Sequence, residues 1–121
     1  MPTFSILVAT WEQGLFRVNG QTVHQELAGQ PVRGLVADGR GGALAIIGGH
    51  TLCRRSPEGE WTTIAESEDD LSCCVPVGDV VFVGTDDARI LRVDPGGAAH
   101  RLTGFDAVAG RDRWYAGSAI V

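Results

Sequence analysis

Lysine is absent from this chain, so its ten basic residues are all arginine, set against fifteen acidic ones. The formal charge of −5 excludes a nucleic-acid backbone as partner, because phosphate binding needs a basic face. No apolar run approaches the roughly 18 residues of a membrane span, which excludes a membrane partner of that kind. After Met1 and Pro2 comes a strand-like run, with no basic leader and no small-residue cleavage site. Cysteine is sparse and odd in number. Neighbouring Cys73 and Cys74 would point to opposite faces of a strand, so a disulfide between them is not expected. Free thiols without an export signal place the chain in the cytoplasm as an expectation. Helical periodicity is missing too: no window of a dozen residues keeps a 3.6-residue apolar spacing without a Gly or Pro inside it.

What the chain does have is glycine, seventeen of them in 121 residues, set between short apolar runs. Residues 32–37, 43–48, 51–55 and 61–65 each have strand length, and the breaks between them read DGRGG, GGH and SPEGE. Shifting the chain by about 37 residues, a period typical of propeller and solenoid units, superimposes like on like. Leu7 falls on Leu44 and then on Val81 or Phe82, Leu15 on Leu52 and Ile90, and Leu27 on Ile64 and Leu102. The runs GLFRV, TLCRR and RILRV share an apolar pair followed by Arg17, Arg54 and Arg92. This predicts an all-β chain, with about three four-stranded antiparallel propeller blades in an incomplete ring. Residues 1–121 are then one partial domain: blade strands in 4–27, full blades at 32–66 and 71–103, and the start of another at 105–118. Within that last unit, 105–109 is the expected first strand and 113–118 the second. Pro76 falls in a first strand, an edge where a missing N–H is tolerated. The rival architecture is a two-sheet β-sandwich.

The turn Ser56-Pro57-Glu58-Gly59-Glu60-Trp61 resembles a degenerate Asp box, whose usual form is Ser-x-Asp-x-Gly-x-x-Trp. Together with ILVATWEQGLFRV and VFVGTDDARILRV, it makes the chain similar to the BNR-like, sialidase-type propeller proteins, a group that includes photosystem II assembly factor-like proteins. The resemblance implies that Glu58 caps the turn, that Gly59 takes positive φ, and that Trp61 is buried between blades. Relatives of this kind are two to three times longer, so the chain is expected to be the N-terminal part of a larger propeller. The other expectation is a unit that closes its ring by homo-oligomerisation.

Propellers bind ligands at the mouth of the channel, where loops from successive blades meet. Here those loops bring Trp11, Arg33, His50, Asp70, Asp86 and Asp87 to one rim as candidate ligand contacts, with Glu66, Glu68 and Asp69 beside them. Such carboxylates are suited to a cation or to acid and base work at a sugar. The ordinary behaviour of charge runs favours a solvated rim. A sialidase-like site would need an arginine cluster, a tyrosine nucleophile and an acid, and only Arg33, Arg113 and Tyr115 are of the right type. No catalytic, cofactor or metal residue is therefore assigned. His24, His50 and His100 are too dispersed for one metal, and Cys53, Cys73 and Cys74 lack ligand spacing. The expected function is a non-catalytic module binding a protein or small molecule at the rim. The alternative is a fragment of a glycoside hydrolase-like propeller.

Overall fold

Short apolar runs that alternate with polar residues, separated by Gly and Asp, have no route to a packed core except as hairpins. The computed structural model describes residues 5–107. In chain order its strands are β1 (Ser5–Ala9), β2 (Leu15–Asn19), β3 (Thr22–Glu26), β4 (Val32–Ala37), β5 (Ala43–Ile47), β6 (Thr51–Arg55), β7 (Trp61–Glu66), β8 (Leu71–Val77), β9 (Val80–Thr85), β10 (Ile90–Val93) and β11 (Ala99–Arg101). Each pairs with its sequence neighbours to give three antiparallel meanders. Sheet 1 is β1-β2-β3, sheet 2 is β4-β5-β6-β7, and sheet 3 is β8-β9-β10-β11.

The expected strand at 105–109 is not formed in its described part. Residues Thr103–Asp106 make a single helical turn, α1, in which the Phe105 N–H donates to the Leu102 carbonyl at 3.1 Å. The Asp106 carboxylate folds back to accept from Arg101 Nε at 2.6 Å, which ties the turn to the end of β11. The expected strand at 113–118 lies outside the described residues.

One turn design recurs. The backbone N–H of Thr10, Asp38, Ser56, Thr85 and Asp94 each donates to the carbonyl four residues on, at 2.8–3.1 Å. In four of the five, the side-chain oxygen of that first residue also accepts a backbone N–H within the turn, as Asp38 Oδ1 does from Arg40 and Gly42. The 56–61 turn follows this pattern. Its cap is the Ser56 hydroxyl, accepting from the Glu60 N–H at 3.0 Å, and not the Glu58 carboxylate. Gly59 takes the expected positive φ of +95°. Gly97, in the matching turn of sheet 3, has φ +91°, and a Cβ there would sit 2.6 Å from the Ile64 carbonyl of sheet 2. Glycine is required at that crossing by both backbone shape and space.

Two cores lie between the three sheets, an arrangement that a two-sheet sandwich does not have. Every residue of β5 is buried, because sheet 2 is covered on both faces. Ala45, Ile47 and Cys53 meet Leu7, Ala9, Leu15 and Leu27 of sheet 1 and its following turn. Leu44, Ile46 and Leu52 meet Cys74, Val81, Val83 and Val93 of sheet 3. Cys73 and Cys74 do point to opposite faces: Cys74 enters the second core while Cys73 pairs across the strand with Gly84. Burial pushes the Cys53 thiol up and the Cys74 thiol up to about 12, so both are inert apolar fillers. Pro76 sits in β8, an edge strand, where its missing N–H interrupts no interior ladder.

The boundary between sheets 1 and 2 also holds a charge pair. Arg55, buried at the end of β6, donates from Nε and Nη2 to the two carboxylate oxygens of Glu26 on β3, each at 2.8 Å. The indole N–H of Trp61 donates to the same carboxylate at 2.9 Å. Trp61 is half-buried rather than enclosed, since its ring reaches the first core only from the side and its N–H is directed at Glu26. The Arg55 guanidinium is the main reason the Glu26 carboxyl titrates below its ordinary value of 4.5.

Removing one partner of a desolvated pair leaves the other uncompensated, so Glu26→Gln is expected to lower stability by about 3 kcal/mol at neutral pH. Because the folded-state pKa is depressed, this stabilisation is full above the unfolded value and disappears as the pH falls through the folded one. Urea unfolding of parent and variant across an acid series checks both points. The gap should narrow toward low pH; a gap that stays constant would remove the carboxylate charge from the account.

Candidate functional site

The loops at one end of the sheets are held by backbone bonds that repeat from one boundary to the next. The Val32 N–H donates to the Thr10 carbonyl at 2.9 Å, and the Leu71 N–H to that of Gly49 at 2.7 Å. Likewise the Gly48 N–H reaches Pro31 at 2.9 Å, and the Asp86 N–H reaches Asp70 at 2.8 Å. The first two bonds tie the β1–β2 and β5–β6 loops to the entry of the following sheet, the other two tie the β5–β6 and β9–β10 loops to the entry of their own sheet, and the side chains those loops carry are brought to a common rim.

The six candidate rim residues lie along this line of contacts. Trp11, 68% exposed, has the Arg33 guanidinium 6.0 Å from its ring centroid, within cation–π range. Arg33 grips Asp86 with two parallel bonds of 2.8 and 2.9 Å, joining β4 of sheet 2 to the β9–β10 loop of sheet 3. Asp86 follows on to Asp70 through the backbone bond above, and Asp70 Oδ1 lies 3.1 Å from His50 Nε2. His50 Nδ1 is also 3.1 Å from the Asp69 carbonyl. Asp87 accepts from the Thr85 hydroxyl and pairs with Arg89 at 3.1 Å.

Glu68, Asp69, Asp70, Asp86 and Asp87 line an open depression of about 320 Å³. Glu66 does not join them. It ends β7 opposite Thr51 and lines a separate hollow with Cys53, Trp61 and Thr63. Among the described residues no group of three His, Cys, Asp or Glu is arranged to hold a metal ion. Geometry explains this, because Asp70, Asp86 and Asp87 are each turned toward a histidine, arginine or hydroxyl side chain. Arg33 and Arg89 are likewise engaged, and Arg113 and Tyr115 lie outside the described residues.

No protein-family model matches the chain, and no curated protein is detectably similar to it. A flat exposed ring beside a guanidinium and several carboxylates can take cationic groups on the ring face and the acids, or hydroxyls on carboxylate lone pairs.

Outside the rim, His24 is exposed on β3, and His100 pairs with Asp94 at 2.8 Å on the far side of sheet 3. The Glu26–Arg55 pair escaped the sequence reading. Its one trace there is that Arg55 occupies the position where the matching strands carry Val18 and Val93. Arg89 was likewise unassigned, although it follows Asp87 by two residues in a tight turn.

Two outcomes follow for the rim. Asp86→Asn should cost less than about 1 kcal/mol in urea unfolding, since the pair it breaks is solvent-exposed and screened. A larger loss would make Arg33–Asp86 a structural tie between sheets. Calcium at millimolar excess should leave the melting temperature unchanged, because a ligand stabilises only when it binds the folded form. A reproducible rise abolished by Asp86→Asn together with Asp87→Asn would reveal a cation site.

Proposed function

We propose that this chain is a non-catalytic β-propeller repeat module that binds a partner through its acidic loop rim. The observation that carries the reading is the convergence of exposed Trp11 with Arg33, Asp86, Asp70 and His50 along one path of contacts. The blade reading is supported by three meanders of adjacent strands and by the recurrence of the same backbone bonds at both boundaries. The resemblance to BNR-like, sialidase-type repeats supports it further through the Gly59 turn, with the Ser56 hydroxyl in the capping role. The chain is read as part of a larger propeller or as one unit of an assembly.

The partner class that suits the rim is cationic. Among the described residues Glu68 and Asp69 make no ion pair, and together with the Trp11 ring they offer a surface for arginine or lysine side chains. The glycoside hydrolase alternative draws no support here, because both rim arginines, Arg33 and Arg89, are already bound to aspartates. A carboxylate clamp would need those guanidinium groups unengaged.

Titration calorimetry with a short oligoarginine peptide and with a neutral oligosaccharide tests the assignment. The expected result is salt-sensitive binding of the peptide, weakened about tenfold by Trp11→Ala, with no heat from the sugar. Sugar binding with turnover would return the hydrolase reading; binding of neither probe would remove the cationic partner.

A further inference from the structure

Alternation in a strand assigns each side chain to one of two faces, and cross-strand pairs share a face. In sheet 1, Leu7, Ala9 and Leu15 enter the core against sheet 2. The opposite face is set by the register rows Ile6↔Val18↔Val23 and Val8↔Phe16↔Gln25. That outer face is apolar apart from Gln25 and carries no charge. Ile6 is 50% exposed, Val8 44% and Val23 60%, three of the five large hydrophobic side chains that stand out from the described surface.

The repeat shows what this face is shaped for. Ile6, Val8, Phe16 and Val18 match Ala43, Ala45, Cys53 and Arg55 of sheet 2, the side of sheet 2 that sheet 1 covers. They match Val81, Val83, Leu91 and Val93 of sheet 3, the side that sheet 2 covers. The same surface is thus packed against a preceding sheet twice and, among the described residues, left open once. Its complement is the outer face of sheet 3. Phe82, Gly84 and Ile90 match Leu44, Ile46 and Leu52, which face forward from sheet 2, and they share the outer face of sheet 3 with Val75 and with Val77, 57% exposed.

We infer that the outer face of sheet 1 docks the outer face of sheet 3 of a second copy of this chain, continuing the packing found at both internal boundaries. The charge pattern agrees. Where sheet 2 presents Arg55 and requires Glu26 across the boundary, sheet 1 presents Val18 and requires no acid there, and Arg92 and His100, which share the outer face of sheet 3, are each paired with Asp94 beside them. Such a contact is head-to-tail, using different patches on the two copies, and it forms a closed dimer only if the rotation brings both ends together. On the propeller reading above, on which closure but not the contact depends, two copies of three sheets give six blades, inside the range of about four to eight that close a ring.

Size exclusion with light scattering on the full chain is the test. The parent is expected at about twice its 12.8 kDa mass. Val8→Glu on sheet 1 and Val77→Glu on sheet 3 should each shift it to the monomer, with far-UV circular dichroism and cooperative urea unfolding retained. Mixing the two variants should restore a weaker dimer, since one intact face remains on each. Should Val8→Glu fail to fold, Val8→Thr is expected to weaken the dimer about tenfold while preserving the fold. A monomeric parent overturns the inference, and so does a dimer that survives both glutamates. Loss with Val8→Glu alone also overturns it, because that result assigns the contact to the sheet 1 faces of two copies meeting each other. The failure of peptide binding at the rim would leave these outcomes untouched.

Discussion

The structure depends on sheet 2 being covered on both faces. A sheet with one dry face can alternate apolar with polar residues, but β5 reads Ala-Leu-Ala-Ile-Ile and has no polar side to give to water. Its Leu44 and Ile46 point one way, and Ala43, Ala45 and Ile47 the other, so the two boundaries are built from different side chains. On the side of Leu44 and Ile46 the clustered side chains of the second core are all apolar. On the side of the alanines the Glu26–Arg55 pair and the Trp61 N–H lie beside the first core.

That asymmetry has consequences for how the chain resists acid and how it presents its rim. The boundary between sheets 1 and 2 relies in part on one half-buried ionised carboxylate, that of Glu26, while the ion pairs that cross between sheets 2 and 3, Arg33–Asp86 and Arg40–Asp79, lie at its exposed edges. The rim straddles both. Trp11 comes from sheet 1, Arg33 and His50 from sheet 2, and Asp70, Asp86 and Asp87 from sheet 3 and its approach, so loosening sheet 1 would remove the aromatic ring while sparing the acidic cluster. The rim is therefore assembled by the same stacking that makes the cores, and its aromatic part depends on the boundary between sheets 1 and 2.

A repeat array buries a unit only where another unit covers it, and sheets 1 and 3 each carry, among the described residues, a face that sheet 2 conceals. Four of the five exposed large hydrophobic residues of the described surface lie on those faces, Ile6, Val8 and Val23 on sheet 1 and Val77 on sheet 3. The fifth, Trp11, belongs to the rim. Exposed apolar surface is thus confined to sites of proposed contact, while the outer strands β3 and β11 keep His24, Gln25, His100 and Arg101 toward water.

The strands were legible in the sequence because their signals are local. Val32–Ala37, Thr51–Arg55 and Leu71–Val77 stand at the residues where apolar runs meet Gly, Asp and Pro breaks, and turn chemistry acts over four or five residues. The gathering of Trp11, Arg33, His50, Asp70, Asp86 and Asp87 was also foreseeable, since a constant period sends equivalent loops to the same end. What the sequence could not determine was pairing at a distance. Glu26 with Arg55, Arg33 with Asp86 and the sideways Trp61 all depend on how far neighbouring sheets shift and rotate, which no period encodes. The 103–106 helical turn belongs with these: the apolar run there permitted a strand, and it was the Leu102 carbonyl and the Arg101 side chain, brought close at the end of β11, that drew the backbone into a coil. Local patterning fixes which segments are strands and which way each residue points, whereas tertiary contact alone decides which charges meet and which carboxylates remain open to a partner.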